Sequence, residues 1–201
     1  MSLATRRMEI IRAAERLIGR YGPSKTTIAD VAREADISVG SVYLEFPSKD
    51  ALIEEISASR YRGVIEAMRA EAELDSRPYR DRLRGLLDAR VDAFLRLAGE
   101  GDHACDLLHC KSEAVRSAHA RFRAEERALI ADIVRAGART GEFDAPKPEV
   151  TADTILSAYL GFSPPWLFAS PKEELLGRLR AMHDLVLYGL VRRQPVEKAR
   201  R

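Results

Sequence analysis

Cysteine occurs only twice in this chain of 201 residues, as Cys105 and Cys110. Two cysteines make no disulfide framework, and a reducing cytoplasm is the expected setting. Aromatic residues are few, at 6%, and the formal net charge is only +2. A balance so close to neutral does not by itself point to nucleic acid, so any basic surface must come from local clustering. Long apolar runs are missing as well. The longest stretch without a charged residue, Thr154 to Pro171, is interrupted by Pro164-Pro165 and diluted by Ser157, Ser163 and Ser170. A membrane-spanning helix needs about 20 mostly apolar residues, so no transmembrane segment and no membrane partner are expected. Arg6, Arg7, Glu9, Arg12, Glu15, Arg16 and Arg20 populate the start of the chain and leave no room for a secretory apolar core. There is no nucleophile elbow, phosphate-binding glycine loop or H-E-x-x-H pattern, so neither an enzyme nor a cofactor is expected.

What is present is helical periodicity. Gly22-Pro23, Pro47, Pro78, Gly99 to Gly101, Gly141 to Pro148, Pro164-Pro165, Pro171 and Pro195 fall between periodic segments. Ile10, Ala14, Leu17, Ile18 and Tyr21 line one face of the first segment. Leu83, Leu86, Leu87, Phe94 and Leu95 form a second stripe, and Leu175, Leu176, Leu179, Met182, Val186 and Leu190 a third. No period-two alternation is found, so the chain reads as all-α. Helices are predicted near 6–21, 27–34, 38–44, 48–74, 78–99, 103–110, 112–140, 149–163 and 171–193. Several starts are signed: Thr27 to Asp30 reads as a capping box, Ser48 as an N-cap, and Ser170-Pro171-Lys172-Glu173 as a cap followed by proline at the first helical position.

The informative stretch runs from Thr26 to Asp50. Two very short helices flank Ala35-Asp36-Ile37, and helices this short need mutual packing to persist. A helix-turn-helix supplies it, with Ile28, Val31, Ala32, Ala35, Ile37, Val42 and Phe46 as its small core. Asp36 falls where the turn needs a left-handed backbone, which Asp tolerates. The second helix is capped by Ser38 and opens with the small residues Val39, Gly40 and Ser41. Such an end suits close approach to base edges in a major groove. Tyr43 and Lys49 suit phosphate contacts, which position a protein without reading sequence. Arg6 and Arg7 are candidates for backbone or minor-groove contacts. The competing reading is an ordinary helical hairpin with no ligand.

Residues Ile10 to Leu17, Gly22, Thr26 to Ala32, and above all Ser38-Val39-Gly40-Ser41-Val42-Tyr43-Leu44-Glu45-Phe46-Pro47-Ser48-Lys49-Asp50-Ala51-Leu52 resemble the tetracycline-repressor (TetR) family of bacterial transcriptional regulators. The resemblance implies an N-terminal three-helix DNA-binding domain over residues 1–50. A C-terminal helical bundle over 51–201 would carry effector binding and dimerisation. It implies a homodimer on a palindromic operator, released by a small-molecule effector. By position, Thr27 would touch phosphate, Val39, Ser41 and Leu44 would face base edges, and Ser38, Gly40, Tyr43 and Lys49 would complete the DNA contacts. Glu45 departs from the aromatic or His often found there, and Asp36 from a frequent Gly. Residues 1–50 hold eight Lys/Arg against seven Asp/Glu, so the acidic side chains are expected to face away from DNA.

In the second part, the broad stripe from Leu175 to Val191 and the small-residue run Thr154 to Gly161 fit a dimer interface through the last two long helices. Filling of the monomer core is the alternative. Phe94, Phe122, Tyr159, Phe162, Trp166, Phe168 and Met182 are candidate effector-pocket residues, with plain core again the alternative. Trp166 after Pro164-Pro165 is the preferred one, and an apolar or aromatic effector suits such a lining. His103, Cys105, His109, Cys110 and His119 gather within 17 positions. Metal or thiol sensing by Cys105, His109 and Cys110 is a second reading, although the spacing follows no familiar zinc pattern.

Overall fold

A computed structural model describes residues 3–100, 103, 105–109 and 112–189. Every regular element among the described residues is helical: α1 (Leu3–Tyr21), α2 (Ile28–Glu34), α3 (Val39–Glu45), α4 (Lys49–Ala72), α5 (Tyr79–Ala98), α6 (Asp106–His109), α7 (Glu113–Arg139), α8 (Pro148–Ala158) and α9 (Lys172–Tyr188). Two 3-10 turns, Leu160–Phe162 and Trp166–Ala169, lie between α8 and α9.

The signed helix starts explain where α2, α3 and α4 begin. Thr27 Oγ1 accepts from the Asp30 N–H at 3.1 Å, and Asp30 accepts from the Thr27 N–H at 3.1 Å, completing the capping box on α2. Ser38 and Ser48 cap α3 and α4 by accepting from Ser41 N and Ala51 N. The α9 start differs from its prediction. Pro171 sits just outside the helix, and Ser170 Oγ accepts from Arg178 instead of capping. The helix predicted over 149–163 stops at Ala158. Proline lacks an N–H and disfavours helical backbone in the residue before it, so no helix runs through the extended Ser163 into Pro164-Pro165, and the chain has already left α8 for a 3-10 turn by Leu160. Of the helix predicted over 103–110, residues 106–109 are helical and 103 and 105 lie in turns, while 104 and 110 lie outside the described residues. The predicted continuation of α9 to residue 193 lies outside the described residues beyond Gly189.

Two apolar cores result. The first joins Ile10, Ala14 and Ile18 of α1 with Val31 and Ala32 of α2, Val42 of α3, Phe46, and Leu52, Ile53 and Ile56 of α4. Tyr21, predicted on the same stripe, is exposed, with the Arg20 guanidinium 5.2 Å from its ring centre. The second core joins Tyr61, Val64, Ile65 and Met68 of α4 with buried residues of α5, α7, α8 and α9. Helix α4 is therefore shared: its first half belongs to one core and its second half to the other, without a linker between them.

The junction is fastened beside that helix. Leu107 of α6 and Ala114 and Val115 of α7 pack into the first core. The buried Arg60 of α4 pairs with Glu100 at 2.9 Å and lies 3.7 Å from Glu15 of α1. Burial raises the Glu15 carboxyl above its usual range, and the nearby Arg60 charge opposes this.

Candidate nucleic-acid interface

Helices α2 and α3 meet through a tight turn whose hydrogen bonds are local. Asp36 has φ of 53°, the left-handed conformation. Its N–H donates to Arg33 O at 3.2 Å, and the Ile37 N–H reaches Ala32 O at 3.0 Å. This is a Schellman ending with Asp in the position glycine usually holds. Ile37 then packs on the first core, so the turn and the apolar anchor fix the direction in which α3 leaves.

Helix α3 buries Val42 and presents the rest of its surface outward. Val39 is 42% exposed, Tyr43 51% and Leu44 82%; Ser38 and Gly40 are exposed, and Ser41 and Lys49 partly so. Thr27 is exposed at the start of α2, but its hydroxyl donates to Asp30 at 2.6 Å while accepting the cap bond. Those bonds hold the Asp30 carboxyl below its usual range. Ser38 and Ser41 share a hydroxyl–hydroxyl bond of 2.9 Å. The eight candidate DNA contacts, Thr27, Ser38, Val39, Gly40, Ser41, Tyr43, Leu44 and Lys49, are thus all on α2, α3 or the helix starts beside them. Three of the acidic side chains are occupied elsewhere: Glu15 beside Arg60, Asp30 in its cap, and Glu34 with Arg16 at 2.8 Å.

Arg7 is placed differently from its prediction as a DNA contact. Its guanidinium donates to Glu45 O at 3.0 Å and to Glu55 at 2.9 Å, and lies 4.2 Å from the centre of the Phe46 ring. It clamps the carbonyl end of α3, where a cation is favoured by the helix dipole. Glu55 is held below the usual carboxylate range: burial raises it, but hydrogen bonds from Arg62 and Arg7 prevail. Nothing local announced this role, because Arg7 and Glu45 are 38 positions apart.

In the second core, the aromatic candidates pack on one another. Phe94, Phe122, Tyr159 and Phe162 are buried. Phe122 stacks on Tyr61 at 4.7 Å and meets Phe94 edge-on at 5.7 Å, while Tyr159 and Phe162 are 5.6 Å apart. Met182 and Phe168 are half-buried. Trp166, the preferred pocket residue, is 60% exposed, because the turn after the proline pair carries it outward. A cavity of about 1060 Å³ lies elsewhere, at the ends of α7, α8 and α9, with Leu83, Val134, Phe143, Val150, Ile155 and Val186 on its walls. None of the seven aromatic and Met candidates lines it.

Two buried polar networks, missed in the sequence, cross this core. Arg90 is 1% exposed; it pairs with Glu126 and donates to Phe162 O at 2.9 Å and Ser163 Oγ at 2.7 Å. His183 of α9 bridges Tyr159 Oη at 2.6 Å and Asp88 of α5 at 2.8 Å. Burial pushes the Tyr159 phenol far above its usual value.

The cysteine and histidine cluster lies partly outside the described residues. His103 pairs with Asp106 at 3.0 Å. Cys105 is a half-buried free thiol raised by burial. Cys110 and the His109 side chain lie outside the described residues. Among the described residues no group of three or more His, Cys, Asp or Glu side chains is placed to hold a metal, and no helix is long and apolar enough to cross a membrane.

A capped helix-turn-helix set on a larger helical unit defines a DNA-binding transcriptional regulator. The family model for bacterial regulatory proteins of the tetR family matches residues 10–56, and the tetracyclin repressor-like C-terminal domain matches residues 80–179. The chain belongs to the TetR family, whose members are regulators rather than enzymes. It is 28% identical over 191 residues to the probable HTH-type transcriptional regulator ArpR of Pseudomonas putida, covering 89% of this chain and 88% of ArpR. It is 27% identical over 165 residues to the HTH-type transcriptional repressor KstR2 of Mycobacterium tuberculosis, covering 75% and 74%. The fold matches that of FadR from Bacillus subtilis, crystallised with stearoyl-CoA, at a TM-score of 0.70 and 18% identity, covering 92% of this chain and 99% of FadR.

Proposed function

We propose that this protein is a repressor that binds a palindromic operator as a homodimer in the cytoplasm and is released by a small-molecule effector. The observation that carries the reading is the exposed outer face of α3, held by the Asp36 turn at its start and by the Arg7 clamp at its end. In this reading residues 1–50 bind DNA. Thr27, Ser38, Gly40, Tyr43 and Lys49 hold the sugar-phosphate backbone or the approach to it, and Val39, Ser41 and Leu44 face the bases. One short recognition helix offers little affinity, so two are paired by symmetry. Support for pairing comes from Leu160, Trp166 and Leu185, large apolar side chains left exposed on α9 and the segment before it. An apolar effector fits the walls of the cavity at the ends of α7, α8 and α9. Its volume of about 1060 Å³ is that of a small-molecule site.

Selection of random duplexes on the purified protein at near-physiological salt tests the reading. The expected result is a palindrome with half-sites about one helical turn apart, bound as a dimer. No enrichment by folded protein, repeated after unfolding and refolding to strip any bound ligand, would overturn it.

A further inference from the structure

Helix α3, Val39–Glu45, contains no Arg, Lys, Asn, Gln or His. The bidentate pairings that read guanine through Arg or Lys, and adenine through Asn or Gln, are therefore not available from it. The hydroxyl of Ser41 is engaged with Ser38, and Ser38 accepts the Ser41 N–H as the helix cap. Glu45 offers only acceptors. What α3 pushes furthest outward is apolar. At 3.6 residues per turn, Gly40 and Leu44 lie roughly 160° round the helix from the buried Val42, so they form its outermost ridge. Gly40 adds no bulk to that ridge, with only Ser38 Oγ near a Cβ built there, at 3.8 Å. Leu44 is 82% exposed and Val39 42%, both on a helix otherwise fastened at each end. A fully exposed leucine at the tip of a recognition helix gains nothing in free solution. The one apolar group displayed on base edges in the major groove is the C5-methyl of thymine.

We infer that this protein reads its operator chiefly through thymine methyl groups, with Leu44 as the specificity-determining side chain. The inference rests on the DNA-binding reading above and adds the chemistry of the half-site: a thymine opposite Leu44 in each half. Lys49 and Tyr43 then hold phosphates and contribute affinity without choosing bases. Direct readout is weak on this scheme, and sequence-dependent duplex shape supplies part of the remaining discrimination.

The test uses the full-length protein and the duplex it selects. Each thymine is replaced in turn by uracil, symmetrically in both half-sites, which removes only the methyl group. One thymine per half-site should be sensitive. Losing contact with one buried carbon weakens binding about fourfold, so the symmetric swap should cost roughly 10- to 15-fold. The Leu44→Ala variant keeps its fold, because no buried contact is lost, and this is checked by its circular dichroism. It should bind the thymine duplex more weakly than wild type and be indifferent to uracil at that position. Uracil tolerated at every position, or equal sensitivity in Leu44→Ala and wild type, would overturn the inference while leaving the operator intact. Failure to select any duplex would overturn the operator reading and this inference together.

Discussion

At the scale of single residues, Arg7 and Lys49 look alike in sequence and differ in what they do. Arg7 is used inside the protein, on Glu45 O, Glu55 and the Phe46 ring. Lys49 stands at the start of α4 beside the recognition helix. The slope of log affinity against log salt counts phosphate contacts, at about 0.9 per contact on duplex DNA. Lys49→Ala should therefore reduce the slope by about 0.9 per half-site contact and weaken all duplexes alike. Arg7→Ala should weaken operator binding with the slope unchanged. It should also cost about 0.5–1 kcal/mol in urea denaturation, the scale of a solvated cation–π contact. A slope that falls in Arg7→Ala would assign Arg7 to DNA after all. His119 offers a pH test. Desolvation against the rings of Tyr61 and Phe122 lowers its pKa below 6.5, with the Arg123 charge adding to the effect. Between the folded value and the ordinary 6.5, the unfolded chain binds the proton more readily, so stability rises with pH there. Stability should fall on acidification below about pH 6.5, and His119→Gln should remove that part of the fall in urea titrations at successive pH values.

Between elements, the Arg90–Glu126 pair is the sharpest dependence, because it joins α5, α7 and the turn after α8 with both charged side chains buried. Glu126→Leu should destabilise by about 3–5 kcal/mol, since it strands a buried guanidinium. The double variant Arg90→Met/Glu126→Leu should recover most of the loss, read as the urea midpoint. A double variant no more stable than Glu126→Leu would show that the pair itself holds the core together. This network also marks how far the sequence could be read. Capping, the left-handed Asp36 and the apolar stripes depend on neighbours within a few positions, and they were legible. Arg90 meets Glu126 from 36 positions away and Ser163 from 73. No local pattern distinguishes such an arginine from one on a solvated face. The same limit applies to the aromatic candidates of the second core. Phe94, Phe122 and Tyr159 are apolar at helical spacing whether they close on one another or line a void, and only three-dimensional shape decides between these. The exposure of Trp166 is not legible either, because the proline pair signals a break but not the direction in which the chain leaves it.

For the whole molecule, the exposed apolar side chains near α8 and α9 set the oligomer test. Replacing Trp166 with Glu and Leu185 with Arg should convert the dimer to single chains in sedimentation, with secondary structure unchanged. Affinity for a selected duplex should then fall towards the non-specific range of about 10⁻⁴–10⁻⁶ M. Dimers that survive both changes would move the interface elsewhere. Joining the DNA-binding half to the regulatory half is α4, 24 residues long and anchored in both cores. A helix of this length spans about 36 Å. Being continuous, it has no soft joint at which a displacement in the regulatory half is absorbed. It acts as a lever arm: a tilt of about 5° at one end moves the other by about 3 Å, close to the 3.4 Å rise of one base pair. A shift of one base-pair step is enough to put two paired recognition helices out of register with successive grooves, so in the proposed reading a small rearrangement around an effector suffices to release the operator.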